Sequence, residues 1–415
     1  MRIIRIGLLL GWRQIQRASK WTTLLIISVM MLTFLNLIAV SGVLVGLIEG
    51  AERAVRAESL GDIILSEKSG ENNIIETASV LRELATYPEI EAYTARYQGA
   101  GQLEANYKER RSLSAERDTA TVNVTGIDPL QEEKFSSLSK NITRGEYLDP
   151  SEEGYILIGY YYLDESADKF GDLFDTLAIK EPGETVRLTV GNVSKEFIVK
   201  GIVESKVDDV SLNTDIPERE FRRLFDRIDN NADRILIRVG QTGSEADLKT
   251  LLLQNELDKY AKIQTFDEGK PKFITDIKST MNLLGTFIGS IGIVVASITI
   301  FIIIFINALS RRQQIGILKG IGIDRSAIEV AYVFQAAVYA IVGSGLGALL
   351  TYGFLLGYFE RNPIKFPFSD GVLVAPPEET FLRFIVLFVV TLAAGFLPAW
   401  MIVKQNTLNS ILGRK

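Results

Sequence analysis

LLIISVMMLTFLNLIAVSGVLVGLI occupies residues 24–48, 25 positions in a row without a charge. Three more such runs follow in the last third of the chain: Leu283–Leu309, Ala331–Phe359 and Phe384–Val403, of 27, 29 and 20 residues. About 20 apolar residues in a helix cross the hydrocarbon of a bilayer. Backbone groups in lipid must bond within their own segment, so each run is predicted to be a spanning helix. Helices in globular cores rarely stay charge-free for so long. The fourth run is the shortest and contains Pro398. The first is too long for the apolar part of a signal peptide, and no small-residue cleavage site follows it. The fold class is therefore membrane α-helical, with four transmembrane helices arranged 1+3. A large α/β extracytoplasmic domain lies between helices 1 and 2.

Lys and Arg set the expected orientation. Arg2, Arg5, Arg13, Arg17 and Lys20 precede the first run; Arg311, Arg312, Lys319 and Arg325 lie between the second and third; Lys404, Arg414 and Lys415 follow the fourth. Asp324 and Glu329 are the only acids among these segments. Residues 49–281 instead hold 45 acidic residues against 30 basic ones. Loops rich in Lys and Arg stay cytoplasmic, which places both termini inside and residues 49–281 outside. Trp12, Trp21 and Trp400 all fall at the inner interface, where amphipathic rings settle. The boundaries expected are an elbow helix over 1–20, spans over 21–48, 282–309, 329–359 and 381–403, and the outer domain with stalk helices over 49–281. A cytoplasmic loop covers 310–328, a short outer loop 360–380 and a cytoplasmic tail 404–415.

The chain has no histidine and no cysteine. Zinc sites of the Cys/His kind and nucleophile arrangements that need His or Cys are thereby excluded. No Gly-x-x-x-x-Gly-Lys-Ser/Thr occurs; Gly316, Gly320 and Gly322 form a glycine-rich patch, but Lys319 is misplaced for a phosphate loop. ATP binding of that kind is not expected of this chain, nor is any cofactor, metal or nucleic acid.

Within 49–281, apolar and β-branched content predicts strands over Asp62–Ser66, Thr121–Gly126, Tyr155–Ile158, Thr185–Val190, Glu196–Val203, Arg234–Val239 and Lys262–Phe266. Helices are predicted over Glu76–Tyr87, over Pro217–Ile228, and over Ser244–Leu257 with Ser244 as cap. Lys108–Thr119 reads as an exposed loop or hairpin, and residues 160–180, with Tyr160, Tyr161 and Tyr162, as an insertion. The arrangement suits two lobes, one built from both flanks and one inserted between them. Asn123, Asn141 and Asn192 each begin a glycosylation-type triplet and read as plain surface residues.

Both flanks of the domain carry helical signals. Glu49–Arg53 and Glu52–Arg56 are spaced i,i+4, as stabilising helix pairs are. Phe273, Ile277 and Met281 repeat at the same interval before the second span. These are read as stalk helices, which transmit displacement where a Gly/Ser linker would not. At the N-terminus, Ile4, Leu8, Trp12 and Ile15 form an apolar stripe with the arginines mostly off it, the pattern of a helix lying in the interface. Asn36, Asn307 and Gln335 are too few to line a polar channel, and Gly343-Ser-Gly-Leu-Gly347 is a small-xxx-small face for close packing within the subunit or across a dimer.

Between the second and third spans stands Arg311-Arg-Gln-Gln-Ile-Gly-Ile-Leu-Lys-Gly-Ile-Gly-Ile-Asp-Arg-Ser326. It is short, basic and amphipathic, with Ile315, Leu318 and Ile321 on one face and Ser326 as a start for the next helix. It reads as a cytoplasmic elbow with a docking surface. This segment resembles the loop of ABC transporter permeases of the MacB, LolC/LolE and FtsX type, Arg-Arg-x-Glu-Ile-Gly-Ile-Leu-Lys-x-Ile-Gly-Ala. Arg311, Arg312, Ile315, Gly316, Ile317, Leu318, Lys319, Ile321 and Gly322 are in step, while Gln314 stands where the family has Glu. Pro398-Ala399 matches the family's ending, with Thr407 in place of its second proline, and Gly11-Trp-Arg-x-Ile-x-Arg17 is similar to its elbow helix. Gly126-Ile-Asp-Pro129 and Thr143-Arg-Gly-Glu-Tyr-Leu148 resemble lobes of the family's outer domain.

The resemblance implies a homo- or heterodimer of permease chains docked on two copies of a separate ATPase that holds the ATP and Mg. The coupling helix would lie within 311–326, with Arg311, Arg312, Gln314, Ile315, Gly316, Leu318, Lys319 and Gly322 at the ATPase. Cargo such as lipid, lipoprotein, peptide or drug would be handled beyond the bilayer by mechanotransmission, with a periplasmic adaptor or lipoprotein as a further partner. A rival reading from another class is a transmembrane switch that regulates a wall hydrolase or senses a peptide and moves nothing. The size of the outer domain favours transport. An outer-face enzyme has no His, Cys or clustered carboxylate motif to support it.

Overall fold

The structure is a computed structural model and describes residues 2–108, 117–170, 175–241, 243–366, 369–371 and 373–404. The loop expected over Lys108–Thr119, part of the stretch 160–180, and the tail with Thr407, Arg414 and Lys415 fall partly or wholly outside the described residues. The chain forms two compact units: 1–49 with 275–365 and 370–415, and 50–274 with 366–369.

Helix α1 (Arg2–Gln16) opens the chain and α2 (Lys20–Val55) follows, lengthened by a π-helical turn over Arg56–Leu60. Gly61 ends it at φ +72, donating its N–H to Arg56 O at 2.9 Å. A side chain there would be strained by the backbone and would also run into Ile237 O.

The second unit comprises β1 (Ile63–Ser66), α3 (Thr77–Leu84), β2 (Ile90–Glu104), β3 (Thr119–Ile127), α4 (Pro129–Ser136), β4 (Ile142–Gly145), β5 (Tyr155–Gly159), α5 (Asp164–Phe170) and β6 (Thr185–Val190). It continues with β7 (Val193–Val203), α6 (Asp208–Ser211), β8 (Asn213–Pro217), α7 (Glu218–Leu224), β9 (Arg234–Val239), α8 (Glu245–Gln254), β10 (Lys262–Thr265) and α9 (Phe266–Gly269). One sheet runs β10-β1-β9-β2-β3-β8-β5-β7-β4, and β6 pairs with both β2 and β7. The pairing β2-β3-β8-β5-β7-β6-β2 is therefore a closed ring of six strands, which leaves those strands few free edges. Leu103, Val122, Val124, Ile156, Ile158, Val186, Leu188 and Phe197 are buried in the same core. The flank strands β10, β1 and β9 lie on one side of β2 and the middle strands on the other, within one sheet that shares β2. β2 pairs with β9 through Ile90–Arg96 and with β3 through Arg96–Glu104.

Most strands lie where alternation places them, but β2, β4 and β8 were not anticipated. β2 carries Gly99 and Gly101, which weaken a strand signal. Here the glycines leave room for the Phe225 ring and the Leu188 side chain. α4 starts at a cap readable after the fact: Asp128 accepts from the N–H groups of Leu130 and Gln131 at 2.9 and 3.3 Å, and Pro129 fills the first helical position. Ser244 does precede α8, but its side chain makes no capping bond. Tyr160–Tyr162, at the start of the stretch read as an insertion, pack inward. They are buried, and the Tyr161 and Tyr162 hydroxyls donate to Asp208 and to Leu212 O, each at 2.8 Å.

The remaining helices belong to the first unit from residue 275 onward: α10 (Lys272–Ser310), α11 (Arg312–Gly320), α12 (Arg325–Leu350), α13 (Leu356–Arg361) and α14 (Pro377–Val403), with a π-helical turn Thr351–Leu355 joining α12 to α13. Among the described residues, four helical stretches are long and apolar enough to cross a membrane: Lys20–Leu60, Lys272–Ser310, Arg325–Arg361 and Pro377–Val403. Met30, Phe34, Ile38, Ile300, Ile304, Tyr332 and Leu387 are buried between them. Hydrocarbon gives helices no hydrophobic reason to associate, so close packing at small residues matters. Gly343 and Gly347 lie against Met30 and Phe34 of α2 in the same chain, and Gly395 lies against Ala336. Gly7 and Gly11 bring α1 onto Val330 and Phe334 of α12, leaving the stripe of Ile4, Leu8 and Trp12 exposed.

A leucine at Gly343 would overlap Met30, whereas nothing lies within 4 Å of a Cβ at Gly345. Gly343→Leu is expected to lower stability by about 1–3 kcal/mol, the range for overpacking. Gly345→Leu should be near neutral. Thermal unfolding of both variants in one detergent checks this.

Candidate functional site

Within the first unit, the segment singled out by its motif folds as α11 and a tight stop. Gly322, at φ +91, donates to Lys319 O at 3.1 Å and Ile323 N–H reaches Leu318 O at 3.0 Å, the paired bonds of a Schellman motif. Leu318 and Ile323 both pack on the membrane-helix core, the apolar contact that accompanies this motif. Asp324, not Ser326, caps α12, accepting from Ser326 N–H at 2.8 Å.

The expected docking residues are divided between the two faces of α11. Ile315 is 3% exposed inside the core, Gly316 is buried and Leu318 is half-buried. Lys319 donates Nζ to Val403 O at 3.0 Å, satisfying a last-turn carbonyl of α14 at its negative end. Arg311 and Arg312 are half-buried. What faces outward is Gln314, Ile317 at 55%, Ile321 at 71% and Gly322. The sequence shows an apolar stripe on this helix, but the stripe serves the chain's own bundle. Ile317, set three residues after Gln314 and four before Ile321, marks the outward face that motif matching leaves without a role.

The second unit holds the end of α2. The i,i+4 pairs expected there are replaced by ties to other elements: Glu52 accepts from Lys270 Nζ at 2.8 Å, and Arg56 contacts Asp62 at 3.0 Å and Glu245. Arg53 is exposed and Glu49 half-buried. Phe273 and Ile277 are exposed on α10. The final turns are held through their carbonyls. Arg96 donates to Ser59 O at 2.8 Å and to Glu58 O at 3.1 Å, and Arg238 donates to Ala57 O at 2.7 Å. Asn141 and Ser205 donate to the Glu58 carboxylate at 2.8 and 2.5 Å.

Arg96 sits where β2 passes from β9 to β3. It grips Glu132 of α4 with two bonds, Nη2 to Oε1 at 2.6 Å and Nε to Oε2 at 3.1 Å. Thr94 and Ser136 donate to the same carboxylate at 3.0 and 2.7 Å. Burial alone would raise the Glu132 pKa; the charge and hydrogen bonds of Arg96, with those of Ser136 and Thr94, outweigh it and hold it below the usual range. The Asp215 side chain, in a residue 4% exposed, has only the Asn213 amide as a hydrogen-bond partner among the described residues, at 2.6 Å. Burial, and then the nearby Glu132 charge, pushes it up to about 7. These groups line a polar cavity of about 590 Å³ together with Glu58, Ser59 and Asp209. No motif announces them, because Arg96, Glu132 and Asp215 come from separate elements far apart in sequence.

Residues 286–407 match the model of the FtsX-like permease C-terminal family. The macrolide export ATP-binding/permease protein MacB of Acinetobacter baylyi is 22% identical over 386 residues, covering 86% of this chain and 54% of that protein. MacB of Bordetella avium is 27% identical over 135 residues, covering 32% of this chain and 20% of that protein. The periplasmic region of MacB from Actinobacillus actinomycetemcomitans superimposes with a TM-score of 0.36 at 16% identity, over 51% of this chain and 92% of that one. The chain spans about half the length, or less, of the curated relatives it matches.

Glu132→Gln leaves the Arg96 charge buried without its partner, a change that costs about 3–5 kcal/mol in comparable sites. Faster amide hydrogen exchange over residues 56–61 and earlier unfolding of the sheet are the expected readouts. Asp215 has a folded pKa of about 7, above its unfolded value near ~3.9. Its contribution is complete below the lower value and is lost as pH rises through the upper one, at about 1.4 kcal/mol per pH unit between them. Asp215→Asn should therefore gain stability relative to the parent chain as pH is raised from 4 to 8, measured by denaturant unfolding at each pH.

Proposed function

We propose that this chain, which matches the FtsX-like permease C-terminal family over residues 286–407 and is similar to MacB, is a membrane permease that converts ATP hydrolysis by a separate ATPase subunit into motion of the domain between its first and second spans. In this reading the chain lies in the bacterial inner membrane with both termini and residues 310–328 cytoplasmic, as the excess of Lys and Arg favours. The ATP and Mg are held by two copies of the partner, this chain is non-catalytic, and a second permease chain completes the complex. The exposed face of α11, Gln314, Ile317 and Ile321, docks on the ATPase. The buried face, Ile315, Leu318 and Lys319, passes displacement into α14 and the bundle core.

The observation that carries this reading is the helix over Lys20–Leu60, unbroken and anchored at its last turn by Arg96 and Arg238. A continuous helix transmits displacement over its length, and a carbonyl grip at its end resists slippage. Cargo would be moved beyond the bilayer. The MacB relatives are macrolide exporters by name, so a drug joins lipid, lipoprotein and peptide as a candidate class. An adaptor protein or lipoprotein outside would complete the route.

Ile317→Glu with Ile321→Glu is expected to abolish both co-purification of the ATPase and stimulation of its hydrolysis, with unfolding temperature unchanged. Lys319→Gln should lower that temperature by freeing Val403 O. Retained co-purification and stimulation in the double variant would end the docking proposal. Because the chain has no cysteine, a single cysteine at Gln314 tests orientation cleanly: labelling of intact cells by an impermeant maleimide would end the topology proposed.

A further inference from the structure

A cavity of about 220 Å³ lies inside the first unit where four helices converge. Thr22 comes from the first turn of α2, Asn307 from the last turn of α10, and Tyr332 and Gln335 from α12, while Gln14 of α1 closes the remaining side and Arg311 follows α10 directly. Its wall holds one cation and no carboxylate. The Arg311 guanidinium has no anionic partner among the described residues. Tyr332 is 1% exposed, and its hydroxyl has no hydrogen-bond partner among the described residues. Gln335 is already engaged, donating to Gln14 Oε1 at 2.6 Å.

These features call for an acceptor that carries negative charge. A half-buried guanidinium is stabilised by a paired anion, and a buried hydroxyl left without a partner is unfavourable. α2 begins at Lys20, so the N–H groups of Lys20, Trp21 and Thr22 precede the first helical bond, from Thr23 N–H to Ser19 O, and add positive partial charge on this side. An oxyanion with several acceptor oxygens satisfies Arg311, the Tyr332 hydroxyl and these amides together. The lining residues fall at the ends of the charge-free runs, beside the exposed Trp21, at the depth where headgroups lie.

We propose that this cavity binds the phosphate group of an anionic phospholipid headgroup from the leaflet on the α11 side. Under the orientation proposed above that leaflet is the cytoplasmic one, but binding does not depend on the ATPase or on cargo. Since Arg311 leads directly into α11, an occupied cavity would also fix the junction between α10 and α11, making that turn sensitive to lipid composition.

The test uses the full chain purified in detergent, with native mass spectrometry and thermal unfolding in the presence of phosphatidylglycerol or inorganic phosphate. The parent chain is expected to retain one phosphatidylglycerol and to unfold at a higher temperature with it. Arg311→Gln should weaken retention about tenfold and Tyr332→Phe several-fold. Tyr332→Phe removes only a hydroxyl, so it decides the matter if Arg311→Gln does not fold. Stabilisation by millimolar phosphate that is lost in Arg311→Gln, without lipid retention, would support the oxyanion site and assign it to the free ion. Equal retention in the parent and both variants would overturn the proposal. So would the absence of any effect of lipid or phosphate, which would leave the cavity to water.

Discussion

Hydrocarbon offers no hydrogen-bond partner to a peptide group, and the membrane part of this chain is organised by that fact. Four stretches must be helical from end to end, and what remains free is how they touch. Glycine settles much of it: Gly343 and Gly347 bring α12 onto α2, Gly395 brings α14 onto α12, and Gly7 and Gly11 seat the elbow helix on α12. These contacts are made within the chain, so Gly343 and Gly347 serve its own helix packing. The Ile4, Leu8 and Trp12 stripe is left outward, where an interfacial helix meets lipid.

The sheet-rich unit solves a different problem. Helix α2 ends against a sheet, and its last carbonyls need partners. Arg96 supplies two hydrogen bonds and Arg238 a third, while Glu132 neutralises Arg96 from the other side. The pair is buried, so each charge relies on its mate. Asp215, held near neutrality by the same crowding, shows the limit of what the cavity tolerates. A helix terminus fixed by charge-assisted bonds suits a part that passes on movement, since length is conserved only if the end does not slip.

The α11 segment shows how the fold decides what an apolar stripe packs against. Its amphipathic pattern is plain in the residues. Yet Ile315 and Leu318 pack inward, because a short helix at the end of a bundle finds its nearest apolar surface in its own chain. Lys319, which has the look of a surface cation, binds a helix-end carbonyl. The strand β2 escaped notice for a related reason: its glycines weaken the local signal, and the space they leave is filled by Phe225 and Leu188 from other elements.

The four apolar runs, the charge contrast between the segments flanking them and residues 49–281, and most strands were legible in the residues alone. Hydrophobic length, charge sign and alternation are local properties that need no partner to be read. Tertiary structure alone decided the closure of six strands into a ring, the inward turn of the α11 stripe, the grip of Arg96 on the helix end and the cavity at Arg311. Each of these depends on groups from distant segments meeting at hydrogen-bond distance, and spacing along a chain carries no record of which groups will meet.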